Sequence, residues 1–431
     1  MPKAIISNKI YLDTDSELTR NLSRLLTYKI KRNIPGVKST FIQYDIIKNY
    51  KLLSKDIISI PIGRIDLIPE NYEIIDKRVI NELPFPQAKF ELRNSQKEVY
   101  DNVDDTCFIN AMVGWGKTFT ALHIAKKLGQ KTLIVCHNTM LRDQWIEEIK
   151  TLFNMQAGII GSGHFDIDHS IVVGNIQTLT KIIKTVSKEF GTVIIDEAHH
   201  CPASTFTTFI DGMYARYKIG LSGTMQRKDG KHILFKDFFG SKVYQPPEEG
   251  TMPPSVQVIK TGIALSPGEP WVKKINNLLY DVDYQKFIVA LAKTQLEKGH
   301  KVLIIADRVE FLKQVGDLIG ETCVCITGGT SYEERNLLKD KIETGEKNCV
   351  AGSRQIFSEG ISINALSCVI LAVPIANESL LEQIIGRIMR QYSNKLQPLV
   401  IDLQFSGNSD RKQNKDRIAF YMRKGWDIRG L

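Results

Sequence analysis

Eight residues, Ala111 to Thr118 (AMVGWGKT), have the types and spacing of a loop that wraps phosphate. In the pattern GxxxxGK(S/T), backbone N–H groups surround the anion, the lysine reaches the outer phosphates and the hydroxyl holds Mg²⁺. Gly116, Lys117 and Thr118 satisfy the pattern and Gly114 lends a further glycine, while Ala111 stands where the first glycine is usual. The context suits the reading. CFINAM before the loop is a short apolar strand, and Thr118 to Leu128 has helical spacing that stops at Gly129. Phosphate then sits at a helix N-terminus, where free N–H groups and the dipole favour an anion. The competing reading is an ordinary strand-to-helix turn.

A second group is VIIDEAHH, Val193 to His200. Four apolar residues followed by two carboxylates describe a strand that delivers Asp196 and Glu197 at its C-terminal edge. Beside a phosphate loop, Asp196 is placed to hold Mg²⁺ and Glu197 to orient and deprotonate a water. The alternative is a surface acid pair starting a helix. A third group is LEQIIGRIMRQ, in which Gln383, Gly386, Arg387 and Arg390 share one helical face. Two arginines there suit the charge that develops on a transferred phosphoryl group. A solvated basic helix face is the competing reading.

These groups need elements to position them. One series of strands is CFINAM, TLIVC, SIVVGN, GTVIIDE and YKIGLSG, and a second is KVLIIAD, TCVCIT, NCVAG, CVILAV and PLVIDL. Amphipathic helices such as MLRDQWIEEIKTLF and YEERNLLKDKIETG lie between them. Fully apolar strands alternating with helices predict parallel sheets covered on both faces. The expected fold is α/β, with two tandem parallel-sheet domains over 89–245 and 271–431, the latter with a basic C-terminal tail. The Pro- and Gly-rich stretch 246–270 reads as linker. Residues 1–88 read as a small α+β accessory domain, with a helix over SELTRNLSRLLTYKIKR that carries Arg20, Arg24, Lys29 and Lys31 and an apolar stripe of Leu18, Leu22, Leu25 and Leu26.

The 431 residues are 43% hydrophobic, enough for more than one core. No apolar run approaches the roughly 20 residues of a membrane span, and the N-terminus lacks a signal-like apolar stretch, so a cytoplasmic protein is expected. Seven scattered cysteines without a CxxC pair argue against a metal or disulfide framework. The net charge of +9 suits a polyanionic partner.

Taken in order, these motifs resemble those of the superfamily 2 helicases from Phe90 to about Asp402. FELRNSQKEV is similar to the segment that reads adenine, with Gln96 as reader and Arg93 nearby. AMVGWGKT resembles motif I, CHNTMLRDQW motif Ia, VVGNIQTL motif Ic, VIIDEAHH motif II in its DEAH form and LSGTMQRKDG motif III. VLIIADRVEFL resembles motif IV, AGSRQIFSEGISI motif V and QIIGRIMR motif VI. Within the superfamily the likeness is greatest to phage branch-migration helicases of the UvsW and T5 types, and it extends to XPB-like and poxvirus transcript-release helicases. In motif V, Ser362 stands where EGIDI is common, which removes a carboxylate.

The resemblance implies two RecA-like domains, ATP and Mg²⁺ as cofactors, and a site drawn from both domains. Arg93, Gln96, Gly114, Gly116, Lys117, Thr118 and Gly360 would bind nucleotide, with Thr118 and Asp196 toward the metal. Lys117, Asp196, Glu197, Gln383, Arg387 and Arg390 would serve hydrolysis. His199, Ser222 and Thr224 would couple the nucleotide site to nucleic acid, and Asn138, Gln177, Thr178, Arg308, Thr327 and Gly328 would touch the strand. Capping and turn roles compete for Asn, Thr and Gly at such places. The implied function is an ATP-dependent helicase or branch-migration motor on single-stranded and forked or branched DNA. It would act in replication, recombination or repair, as a monomer beside recombination or replication proteins, and in the host cytoplasm if phage-encoded. An RNA helicase or RNA-remodelling ATPase and an ATP-switched DNA clamp are the alternatives.

Overall fold

A computed structural model of the 431-residue chain describes all residues except 32–43, 113, 200–202, 224–233, 248, 266–267, 360 and 431. Thr224 and Gly360 therefore lie outside the described residues. The chain divides into two compact units, one of residues 1–112 and 116–247, the other of 248–431 together with 113–115.

The first unit begins with β1 (Lys3–Ile6), β2 (Ile10–Asp13), helix α1 (Ser16–Leu25), β3 (Thr27–Lys31), β4 (Tyr44–Lys48), β5 (Lys51–Ser54), β6 (Ile57–Ile60) and β7 (Glu73–Asp76). Five of these strands form a sheet in the order β5-β6-β2-β1-β7, and β3 and β4 form a separate antiparallel ribbon. Alternate residues Ala4, Ile6, Ile10, Leu12, Ile58 and Ile60 are buried, as a sheet with one covered face requires. The Asp15 carboxylate accepts from Leu18 N at 2.8 Å and caps α1.

Two expectations for α1 are corrected. The helix stops at Leu25, so Lys29 and Lys31 lie in β3, because Tyr28 and Ile30 are strand-formers whose period-2 spacing meets the core better than a further turn. Leu22 and Leu26 are buried, but Leu25 is exposed.

This N-terminal sheet shares one hydrophobic core with the rest of the unit: Ile6, Leu12 and Leu22 belong to the same cluster as Phe108, Phe206, Phe235 and Phe239. A buried carboxylate reinforces the junction. Asp237 accepts from Tyr28 Oη (2.8 Å), Asn49 Nδ2 (2.7 Å) and Arg64 Nη1 (3.2 Å). Burial raises its pKa and these three donors oppose the rise. Gly63 approaches the helix Phe235–Phe239, which carries Asp237, so closely that a Cβ there would stand 2.6 Å from Lys236 O.

The large sheet of this unit comprises β8 (Cys107–Asn110), β9 (Thr132–Cys136), β10 (Gly158–Gly161), β11 (His164–Phe165), β12 (Ile171–Asn175), β13 (Thr192–Ile195), β14 (Tyr217–Ser222) and β15 (Val243–Tyr244). Their order is β11-β10-β12-β9-β13-β14-β8-β15, parallel throughout except for β10 with β11. β9, β12 and β13 are buried along their whole length, as strands covered on both faces must be.

The second unit has a parallel sheet of β16 (Ser255–Lys260), β17 (Val302–Ala306), β18 (Cys323–Ile326), β19 (Cys349–Ser353), β20 (Cys368–Leu371), β21 (Leu399–Gln404) and β22 (Asp427–Arg429), in the order β18-β19-β17-β20-β21-β16-β22. β16 lies inside the stretch expected as linker, where Val256 and Val258 bury alternate positions despite the prolines before them. The basic C-terminal stretch forms the helix Asn408–Arg423, held to β21 by Arg417, which pairs with Asp402 at 2.7 Å while Tyr421 donates to the same carboxylate at 3.1 Å. Among the described residues no helix is long and apolar enough to cross a membrane.

Candidate active site

Strand β8 ends in the phosphate-loop sequence, and helix α3 (Lys117–Leu128) starts directly behind it. Gly114 and Gly116 both hold positive φ, +90° and +95°, which only glycine adopts without strain. Ala111 has no such backbone and donates its N–H to Ser222 O at 3.0 Å, so the missing first glycine costs nothing there. Lys117 Nζ donates to Ala111 O at 2.9 Å, lying back over the loop. Thr118 occupies the first turn of α3.

Helix α2 (Asn94–Asn102) brings the expected adenine reader to the same place. Gln96 Oε1 accepts from Arg93 N at 2.9 Å in a capping box. A Cβ on Gly116 would meet Gln96 Nε2 at 2.4 Å and Arg93 Nη2 at 3.5 Å, so glycine at 116 also makes room for this pair.

Strand β13 delivers the two acids. Asp196 is buried, and its Oδ1 accepts from Glu197 N at 2.9 Å. Its Oδ2 accepts from Trp145 Nε1 at 2.8 Å, across from helix α4 (Thr139–Phe153). Burial and the neighbouring Glu197 charge push the Asp196 carboxyl up to about 6, against the opposing pull of Trp145 and of the Lys117 ammonium. Glu197 has φ +44°, a left-handed conformation uncommon outside glycine. Its Oε2 lies 3.2 Å from His199 Nδ1, and that nitrogen is 2.6 Å from Ser222 Oγ at the end of β14. Glu197, His199 and Ser222 thus form a continuous polar chain between adjacent strand ends.

Asn138 caps α4, its side chain accepting from Leu141 N at 2.8 Å, which is the capping role that competed with strand contact. Its Nδ2 also meets His137 Nε2 at 3.0 Å, and Gln177 Nε2 donates to His137 O at 3.3 Å, so motifs Ia and Ic converge on His137. Thr178 sits in the following short helix, α5 (Ile176–Lys181).

In the second unit Arg308 precedes the helix Val309–Ile319 and donates to Asn276 Oδ1 at 2.7 Å. Thr327 and Gly328 form a turn closed by Thr330. Gln383 and Arg387 lie buried in the helix Glu378–Met389. Arg387 donates to Phe357 O at 2.9 Å and to Ser358 O at 2.7 Å. Arg390 departs from the expected shared face: the helix ends at Met389, and Arg390 has the extended ψ of 138° with Nη1 3.2 Å from Asn364 Oδ1. The backbone leaves the helix at the residue expected to complete the face, so i, i+3 geometry does not apply.

The sequence reading missed Trp145 and His137. Trp145 was legible as a core position on an amphipathic helix, but its carboxylate partner is 51 residues away and no spacing rule connects them.

A nucleotide loop after β8 and an acid pair after β13, on either side of β14 and with histidine reaching the end of that middle strand, define a motor of the nucleotide-hydrolysing class. The chain belongs to the superfamily 2 helicases and is an ATP-driven nucleic-acid helicase. Residues 89–227 match the family described as "Type III restriction enzyme, res subunit", and 284–391 the "Helicase conserved C-terminal domain". A protein of Escherichia phage T5 named "Probable helicase D10" is 42% identical over 434 residues, 98% of this chain and 95% of that one. The "ATP-dependent DNA helicase uvsW" of Enterobacteria phage T4 is 25% identical over 297 residues, 63% of this chain and 59% of that one. Relatives also carry RNA-helicase names, as in Acanthamoeba polyphaga mimivirus at 28% identity over 338 residues, 73% of this chain and 63% of that one. In fold, the chain is similar to S. cerevisiae Dbp5 bound to RNA and ADP BeF3, with TM-score 0.57 at 12% identity, covering 78% of this chain and 89% of that one.

Proposed function

We propose that the chain is an ATP-dependent DNA helicase or translocase that unwinds or branch-migrates forked and branched DNA in replication, recombination or repair. The observation that carries this reading is the chain from Glu197 through His199 to Ser222, which ties the hydrolytic acid to a strand end outside the nucleotide loop. In a motor, loss of the γ-phosphate has to be felt at the nucleic-acid grip, and a chain of close polar contacts of this kind is a physical route for it.

In this reading residues 89–245 bind and hydrolyse ATP. Lys117 and the loop N–H groups hold the phosphates, Gln96 and Arg93 read the base, and Glu197 activates water. The Thr118 hydroxyl and the Asp196 carboxylate are the hard oxygen donors that Mg²⁺ prefers. The fit is chemically sound: each Asp196 oxygen accepts one hydrogen bond, which fixes the carboxylate and leaves a lone pair on each for a cation or its water. That ion would neutralise charge on the transferred group. Residues 271–431 supply Arg390 against charge on the phosphoryl group, with Arg387 and Gln383 positioning the helix that ends just before it. Asn138, Gln177, Thr178, Arg308, Thr327 and Gly328 contact the strand backbone, since a motor must ignore sequence. Residues 1–88 hold duplex or branched DNA. RNA is the competing substrate, because both polymers present the same phosphates.

The test is strand displacement on a forked DNA and on the matching forked RNA, with and without ATP. ATP-dependent displacement of the DNA fork supports the reading. Displacement confined to RNA overturns its substrate, and tight ATP-controlled binding without displacement of either makes the chain a clamp.

A further inference from the structure

Between Arg20 and Lys51 the chain carries eight lysines and arginines and a single acid, Asp45. The ribbon of β3 and β4 organises part of this charge. Its register pairs Thr27 with Lys48 and Lys29 with Ile46. Side chains alternate between faces: Tyr28 and Ile47 pack on the unit's core and Ile30 is buried, whereas Lys29, Tyr44, Ile46 and Lys48 face outward. Ile46 is 62% exposed and Tyr44 55%, although both are large and apolar. Helix α1 adds Arg20 and Arg24, exposed and one turn apart. Among the described residues, no carboxylate forms an ion pair with Arg20, Arg24, Lys29 or Lys48.

The ribbon has a firm base. Tyr28 in β3 and Asn49 directly after β4 both donate to buried Asp237, so load on the ribbon passes into the ATP-binding unit. Unpaired cations interleaved with exposed apolar side chains are unfavourable facing water alone, and they complement a polyanion that also offers apolar surface.

From this juxtaposition, and resting on the DNA reading above, we infer that the outward face of the β3–β4 ribbon with α1 is the duplex-holding surface of the N-terminal region. Lys29, Lys48, Arg20 and Arg24 neutralise phosphates of one arm, and Ile46 and Tyr44 press into the groove. The occupant is double-stranded DNA, because the B-form major groove admits a two-stranded ribbon. A single strand would instead call for stacked aromatic platforms, and Tyr44 is the one aromatic on this face among the described residues.

The experiment uses the full chain carrying Lys29→Glu with Lys48→Glu. Affinity is measured for a forked DNA and for a single strand of equal length at low and moderate salt, alongside single-strand-stimulated ATP turnover. The expected result is a loss of about tenfold or more on the fork at low salt, and a log–log salt slope shallower by about 2, since each phosphate contact contributes about 0.9. Single-strand affinity and ATP turnover stay at the wild-type level. Lys29→Ala with Lys48→Ala, which introduces no repulsion, should give the same change in slope, and Ile46→Ser should weaken the fork without changing it. Unchanged fork affinity and slope in both lysine pairs, or equal losses on fork and single strand, overturn the ribbon as duplex holder while leaving the DNA reading intact. A wild-type chain that binds no forked DNA removes the DNA reading, and the ribbon's assignment with it.

Discussion

Trp145 Nε1 donates to Asp196 Oδ2 over 2.8 Å, joining helix α4 to the acid pair at the end of β13. A hydrogen bond to a charged group contributes about 1.5–3 kcal/mol, and here it fixes the carboxylate assigned to Mg²⁺. Trp145→Phe keeps most of the volume and removes the donor. ATP turnover should fall by roughly tenfold, with more Mg²⁺ needed for half-maximal rate. Titrating Mg²⁺ in a turnover assay checks this, and an unchanged Mg²⁺ requirement in a folded variant would mean that the indole only packs.

Lys117→Ala should lower ATP turnover by about 100-fold or more while leaving thermal stability near wild type, because the lysine is only partly buried, packs little and leaves loop carbonyls that water can reach. Glu197→Gln removes the base but not the shape, so ATP should bind and persist, trapping the protein on nucleic acid. Single-turnover hydrolysis and filter binding distinguish the two variants.

The arginines should separate. Arg387 is buried against Phe357 O and Ser358 O, so Arg387→Ala strands two carbonyls and should lower the melting temperature along with the rate. Arg390 is half-buried, with Nη1 on Asn364 Oδ1, and Arg390→Ala should lower melting less than Arg387→Ala does while turnover falls by about 10³-fold with ATP affinity nearly constant. Calorimetry beside steady-state kinetics makes the comparison. Loss of DNA affinity alone would move Arg390 to the grip.

Lys218 is buried in β14 with Nζ 3.2 Å from Ala215 O, and burial pulls its pKa from 10.5 down to about 7. An unfolded lysine keeps its proton to about 10.4, so between the two values the unfolded chain binds more protons and stability rises with pH. The destabilisation is therefore complete below about pH 7 and fades toward pH 10. Lys218→Met should raise the melting temperature clearly at pH 7 and much less at pH 9.5. A gain of equal size at both values contradicts the assignment.

Where a run of apolar residues had to become a strand, the chain was easy to read: all ten strands of the two expected series are present, because parallel strands covered on both faces leave little alternative. Boundaries set by tertiary contact were not. The sequence LSRLLTYKIKR continues a helical leucine spacing with no glycine or proline to stop it, yet Tyr28 finds Asp237 and the chain turns to strand. Val256 and Val258 alternate as a strand should, but the prolines just before them signal linker more loudly. At the site, the loop and the acid pair are local patterns and were legible. The bonds of Trp145 to Asp196 and of His199 to Ser222 join distant segments, so only folding reveals them.

Asp237 and its three donors also set a schedule for biosynthesis. Tyr28, Asn49 and Arg64 precede their common acceptor by 209, 188 and 173 residues. At roughly 5–20 residues per second, a ribosome needs about 8–32 s to reach Asp237 after finishing the N-terminal sheet at Asp76. Throughout that interval the apolar face later covered by Phe206, Phe235 and Phe239 is open to water on a nascent chain. The N-terminal region is therefore the segment most in need of chaperone cover during translation, and slowing elongation between codons 89 and 235 should lower the yield of native protein more than slowing it after codon 248.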